Sequence, residues 1–183
     1  SGRQTPKMCV LHAKTLPTSS VNGIIKTLKR LLTTRSRSTM SSRTSCLRSL
    51  KDKLLLVTFR TENEGGEASL THQEYLDFIN MIIDADCADL IDIEFFTAGD
   101  DIRELIDNAH SSGVVVVCSS HDFQKTPDKN ELVSRMVKMQ QVGADLPKVA
   151  VMPHDSTDVL TLLAATVEMK DKYFATPIIT ISM

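Results

Sequence analysis

From residue 53 to the end, short apolar runs alternate with stretches of helical apolar spacing, and this alternation restricts the fold more than any other feature of the chain. The runs are Leu54 to Phe59, Leu90 to Phe95, Val114 to Cys118, Val149 to Met152 and Ile178 to Ser182. They are rich in Val, Ile and Leu, as strands buried on both faces must be. Between them, Leu70 to Asp84, Asp101 to Ser111, Lys129 to Val142 and Ser156 to Lys170 have helical periodicity, with N-cap chemistry at Ser156, Thr157 and Asp158. This is the order of βα units around a parallel sheet. A doubly wound open sheet and part of an eight-stranded barrel both satisfy it, and periodicity does not choose between them.

The first fifty residues are a different object. All 23 acidic residues of the 183 fall after residue 50, whereas residues 1–50 hold ten of the 21 lysines and arginines. The two parts carry about +10 and about −12 at neutral pH. Residues 1–50 also hold seventeen Ser or Thr and none of the eight aromatic residues. Such a segment cannot bury a core, and disorder is expected of it. The chain is therefore divided into a basic Ser/Thr/Arg-rich segment, 1–50, and an α/β domain, 51–183.

No window approaches the ~18 apolar residues of a membrane span, and no secretory signal opens the chain. Cys9, Cys46, Cys87 and Cys118 form no CxxC pair. Free thiols, a reducing compartment and a cytoplasmic location are the expectation. Gly65-Gly66 lacks the spacing of a phosphate loop, and His110, His121, His154 and Cys118 lack metal-ligand spacing. Neither nucleotide nor metal is expected.

In both candidate architectures chemistry gathers beyond the carboxyl ends of the strands. Arg60 follows the first run, His121 the third, and Pro153-His154-Asp155 the fourth. Lys148, in DLPKVAVMP, opens an apolar strand on the side of Ala150 and Met152. Facing a barrel interior, its ammonium would be desolvated, which lowers a lysine pKa and suits attack on a ketone. A lysine on an entry loop with its head in water is the ordinary alternative. His121, with an ordinary imidazole pKa of about 6.5, can accept and return a proton, or can merely cap a loop. Glu64, in FRTENEGGE, can orient such a histidine, and Arg60 can clamp a carboxylate or hydroxyls. Asp92 and Glu94 share one face of a strand, where two inward acids are out of place in a plain core.

The segments LLLVTFRTENEGGE, DLIDIEFFT, SSHDFQKTP, MVKMQQVGADLPKVAVMP, DVLTLLAAT and PIITISM resemble, in order and spacing, successive parts of type I 3-dehydroquinate dehydratases. The resemblance runs from about residue 53 to residue 183. It implies a (β/α)8 TIM barrel, here truncated to about five of eight strands, and dehydration of 3-dehydroquinate to 3-dehydroshikimate in the shikimate pathway. By the same resemblance Lys148 forms the Schiff base, His121 is the proton donor and acceptor, Glu64 pairs with His121, and Arg60 and Met183 contact the substrate. No cofactor is implied. The partner is a small molecule rather than nucleic acid or membrane, and a homodimer is left open. Another Schiff-base barrel, such as an aldolase, would share Lys148 but would not explain SSHDF and FRTENEGGE together.

The family's first two strands, the second ending in an EWR-like motif, and its final βα unit have no counterpart in this reading. A transit peptide and a nucleic-acid-binding arm are alternatives for residues 1–50. The reading adopted is a shifted frame: codons for Asn22-Gly23, read one base earlier, can spell Glu-Trp. A catalytically inactive fragment or a basic-arm binding protein is the alternative function.

Overall fold

The structure is a computed structural model that describes residues 7–12, 53–67, 69–84 and 88–183. Its strands are β1 (Lys7–His12), β2 (Lys53–Thr58), β3 (Leu90–Glu94), β4 (Val115–Asp122), β5 (Leu146–Val151) and β6 (Ile179–Ser182). The helices are α1 (His72–Asp84), α2 (Ile102–Ser111), α3 (Lys129–Gln141) and α4 (Ser156–Lys172). All six strands are parallel, and each pairs with its neighbour in sequence, in the order β1-β2-β3-β4-β5-β6. A doubly wound sheet reverses its order at a switch point. This sheet does not, so the strands form part of a barrel wall.

Strand alternation divides the wall into two faces. Leu55, Val57, Phe59, Ile91, Ile93, Val116, Cys118, Val149 and Val151 point toward the helices and join their buried residues in one apolar core. Phe59 of that face meets Phe78 of α1 with ring centroids 5.0 Å apart. The other face is the barrel interior, and its register can be followed across the strands. Thr58 lies beside Asp92, Asp92 beside Val117, and Val117 beside Leu146. One step toward the carboxyl ends, Glu94, Ser119, Lys148 and Ile179 are in register, and one step further His121, Ala150 and Ile181. The interior therefore collects the polar residues and the helix side the apolar ones.

Several expectations need correction. Lys7–His12 forms a sixth strand, paired from Lys7↔Lys53 to His12↔Thr58, so part of the basic segment belongs to the sheet. Asn22-Gly23 and all of 13–52 lie outside the described residues, as does Cys87. Strand β4 extends past Cys118 to Asp122, because Ser119 to Asp122 continue the ladder with Lys148 to Val151. Backbone pairing with β5 outweighs the weak strand preference of Ser and Asp. His121 is thus a strand residue rather than a loop residue, and Lys148 is the third residue of β5 rather than its opening one. The cap of α4 is Asp155, whose Oδ1 accepts from Thr157 N and Asp158 N, while Asp158 accepts from His154 N. A short helical turn, Phe95–Ala98, follows β3 directly.

Candidate active site

Arg60 lies just past β2 on the interior face, where it meets three carboxylates. Its Nη1 donates to Glu94 at 2.9 Å, to Ser119 Oγ at 3.1 Å and to Glu64 at 3.2 Å, and its Nη2 donates to Asp92 at 3.0 Å. Burial works against the guanidinium, but the charges of Asp92, Glu94 and Glu64 outweigh it and push its pKa up. This is an interior hub rather than a surface ion pair, and the planar fork of Arg lets one side chain reach all four partners.

Asp92 joins this hub to Lys148. Its Oδ2, which takes the Arg60 bond, also accepts from Lys148 Nζ at 3.3 Å, and its Oδ1 accepts from Ser119 Oγ. The Lys148 side chain is 18% exposed. Its ammonium therefore sits beside a buried carboxylate, whereas desolvation alone was the expectation.

Glu64 ends a 3-10 turn, Glu62–Glu64, that Thr61 opens and Gly65 closes in a left-handed conformation at φ +83°. The turn is tight because Glu64 N and Gly66 N both donate to Thr61 O. A Cβ on Gly66 would lie 1.8 Å from Arg60 O, so only glycine fits there. The turn carries the Glu64 carboxyl under β4, where Oε2 meets His121 Nδ1 at 2.8 Å and accepts from the His121 backbone N at 3.1 Å. Phe123 stacks 6.5 Å from the His121 ring and fills the space over Gly65.

Counting charge explains how this pair titrates. Three interior carboxylates face two cations, Arg60 and Lys148, which leaves one negative charge in excess. Glu64 is the carboxyl least able to hold it: its Oε1 is buried and takes no hydrogen bond among the described residues. Burial, and then the charge of Glu94, push its pKa up to about 8 despite the opposing pull of Arg60. Burial, then Arg60 and Lys148, push the His121 imidazolium down to about 3. Around neutral pH the imidazole is therefore uncharged and Glu64 keeps its proton, the two side chains sharing one hydrogen bond at Nδ1. A cavity of about 530 Å³ at the carboxyl ends of β3 and β4 reaches Glu64 and His121 and is also lined by Phe96, Phe123 and Arg135. Among the described residues no set of three or more His, Cys, Asp or Glu side chains is arranged to hold a metal ion.

Arg60, Glu64, His121 and Lys148 thus fall in one network. Met183 stands apart from it, 38% exposed at the end of β6, with its backbone N donating to Val151 O. Sequence reasoning missed Ser119 and Thr61. The signal for Ser119 was its place two residues before His121 on one face of β4; nothing short of the Glu94 contact distinguishes Thr61.

The model of the type I 3-dehydroquinase family matches residues 29–183, beginning upstream of residue 53. The chain is 50% identical over 134 residues to the 3-dehydroquinate dehydratase of Salmonella typhimurium, an alignment covering 73% of this chain and 53% of that protein. It thus spans about half the length of the curated relatives it matches. Among solved structures, the type I 3-dehydroquinate dehydratase of Clostridium difficile, solved with covalently modified comenic acid, superposes with a TM-score of 0.74 at 38% identity. That match covers 100% of this chain and 77% of the other. The 3-dehydroquinate dehydratase of Enterococcus faecalis gives 0.79 at 33% identity, covering 100% and 81%. Fold, sequence and the matched structures agree that this chain belongs to the type I 3-dehydroquinase family.

Proposed function

We propose that this chain carries the Schiff-base site of a 3-dehydroquinate dehydratase, with Lys148 as nucleophile and His121 as proton shuttle. Once its ammonium has given up a proton to solvent, Lys148 Nζ adds to the substrate ketone, water leaves, and the resulting iminium withdraws electrons from the neighbouring carbon. His121 takes the proton from that carbon and returns it to the departing hydroxyl, so the ring ends as it began. Hydrolysis of the product imine finally frees the lysine. Glu64 holds the imidazole in place through Nδ1 and leaves Nε2 for the substrate. Arg60 and Met183 are assigned to the substrate site.

The observation that carries this reading is the placement of an uncharged, carboxyl-held imidazole beside the lysine on the neighbouring strand. Parallel strands lie about 4.8 Å apart and an inward step of two residues rises about 6.6 Å, so the two Cα positions are about 8 Å apart.

The test is mass spectrometry after incubation with 3-dehydroquinate and borohydride. A reduced adduct on the wild type and none on Lys148→Ala is the expected result. An adduct equally abundant on both would remove Lys148 from its role, and a folded wild type that traps nothing would leave an inactive member of the family.

A further inference from the structure

Glu94 is fully buried, yet the proposed chemistry does not use it. Its two oxygens take four hydrogen bonds. Oε1 accepts from Arg60 Nη1 and from Thr61 N, both at 2.9 Å, and Oε2 accepts from Thr61 Oγ1 and Thr97 Oγ1, both at 2.7 Å. Its own backbone N donates to the hydroxyl of Tyr75, itself buried in α1, at 2.8 Å. A carboxylate so far from water is expensive unless every lone pair has a partner, and here the donors are supplied in full. Plain packing has no need of that arrangement, since a buried hydrocarbon would serve.

The partners indicate what it is for. Thr61 opens the turn that ends in Glu64, and Thr61 O holds that turn closed. Arg60 reaches Glu64 Oε2, the atom that meets His121 Nδ1. Glu94 thus grips both residues that determine where Glu64 lies, while touching neither Glu64 nor His121 by hydrogen bond. We propose that Glu94 is a positioning residue for the Glu64–His121 pair, clamping Arg60 and Thr61 so that the Glu64 carboxyl is held against the imidazole. The charged and titratable groups around it are Arg60 beyond β2, Glu64 on the turn, Asp92 on its own strand, Tyr75 on α1, His121 on β4 and Lys148 on β5. Its negative charge also opposes ionisation of Glu64. This deepens the proposed function, because a carboxyl held against an imidazole matters most where that imidazole moves a proton.

Glu94→Gln is close to isosteric: its carbonyl can keep the Arg60 and Thr61 N bonds while its amide donates to the two threonine hydroxyls. The experiment follows the His121 ring nitrogens by NMR across pH, in the full chain without substrate. Glu94→Gln is expected to move the titration of the pair toward lower pH by about one unit, the ordinary effect of removing one nearby like charge. Thr97→Val changes no charge and removes one donor to Glu94 Oε2. It is expected to alter the His121 Nδ1 shift although Thr97 touches neither member of the pair, and it serves alone if Glu94→Gln does not fold. The titration of Glu94→Gln reads the charge of Glu94, whereas an unaltered Nδ1 shift in a folded Thr97→Val chain would overturn the proposal. Borohydride trapping at Lys148 is scored separately: its failure in the wild type counts against the proposed function and leaves the titration result standing.

Discussion

With its pKa pushed up to about 8 from an ordinary 4.5, Glu64 ties folding to pH. A carboxyl whose folded pKa is raised gives a contribution that is present below 4.5 and is lost as pH rises through about 8, because the unfolded chain ionises first. Urea unfolding of wild type and Glu64→Gln across pH 5 to 8.5 should show the variant gaining on the wild type as pH rises; a gap independent of pH would contradict the raised pKa. His121 works in the opposite direction. Its folded pKa lies near 3, below its ordinary 6.5, so its contribution is present above 6.5 and is lost as pH falls toward 3. His121→Ala should lower turnover about 10²- to 10⁴-fold, the usual share of a general base. The variant should still trap substrate on Lys148 with borohydride. Loss of trapping together with turnover would mean that the imidazole is needed to form the imine as well.

At the scale of elements, the turn between β2 and α1 leaves no room for a side chain at Gly66. A methyl group at Gly66 would have to displace Arg60 O, a backbone atom, and with it the turn that carries Glu64. Gly66→Ala is expected to cost about 1–3 kcal/mol in urea unfolding, the range for forcing extra atoms into a packed site. Its His121 Nδ1 signal should also change; an unchanged signal would show that the turn relaxes without moving Glu64. The amino end of α4 offers a milder case. Asp155→Ala removes an acceptor from Thr157 N and Asp158 N and should cost about 1 kcal/mol, with no effect on borohydride trapping. Helix spacing placed α4 to within two residues of its observed end, but three neighbouring candidates hid the actual cap. Which side chain turns back onto the first turn depends on the backbone leading in, where Asp155 has extended dihedrals that leave its carboxylate under the free N–H groups.

For the whole molecule, the exposed face of α4 is the feature with a physical consequence. Leu160, Leu163 and Val167 are 63%, 54% and 56% exposed, spaced three and four residues apart, and Phe174 beyond the helix is 78% exposed. Among the described residues β6 pairs only with β5. A group of apolar side chains exposed together favours association. Sedimentation velocity is expected to show self-association of the wild type and a shift toward monomer when Leu160→Glu and Leu163→Glu are combined. Unfolding free energy should change by no more than about 0.5 kcal/mol per site, as at other surface positions. A wild type that stays monomeric at high concentration would show that the face is tolerated in water. The frame-shift reading of residues 1–50 belongs to this scale too, and the coding DNA tests it: no barrel-like second strand in either other frame would end it.

The residues of the interior network and the βα order were legible in the linear chain for different reasons. Val-rich runs at regular spacing betray buried strands, and Lys148, His121, Glu64 and Arg60 each lie near the carboxyl end of a run or on its inward face. Asp92 and Glu94 stood out because two acids on one face of an apolar strand require partners. What those partners are could not be read, since Arg60, Ser119, Lys148 and Thr97 come from different strands and turns. Only parallel register brings them together. The strand at Lys7–His12 was hidden for the same reason: a short polar-flanked segment becomes a strand when a neighbour supplies its hydrogen bonds. The sequence by itself determined the βα order, the two faces of each strand and the family. The tertiary structure decided the charge balance of the interior, and so which carboxyl keeps a proton, because Coulomb energy depends on distances that sequence separation does not encode.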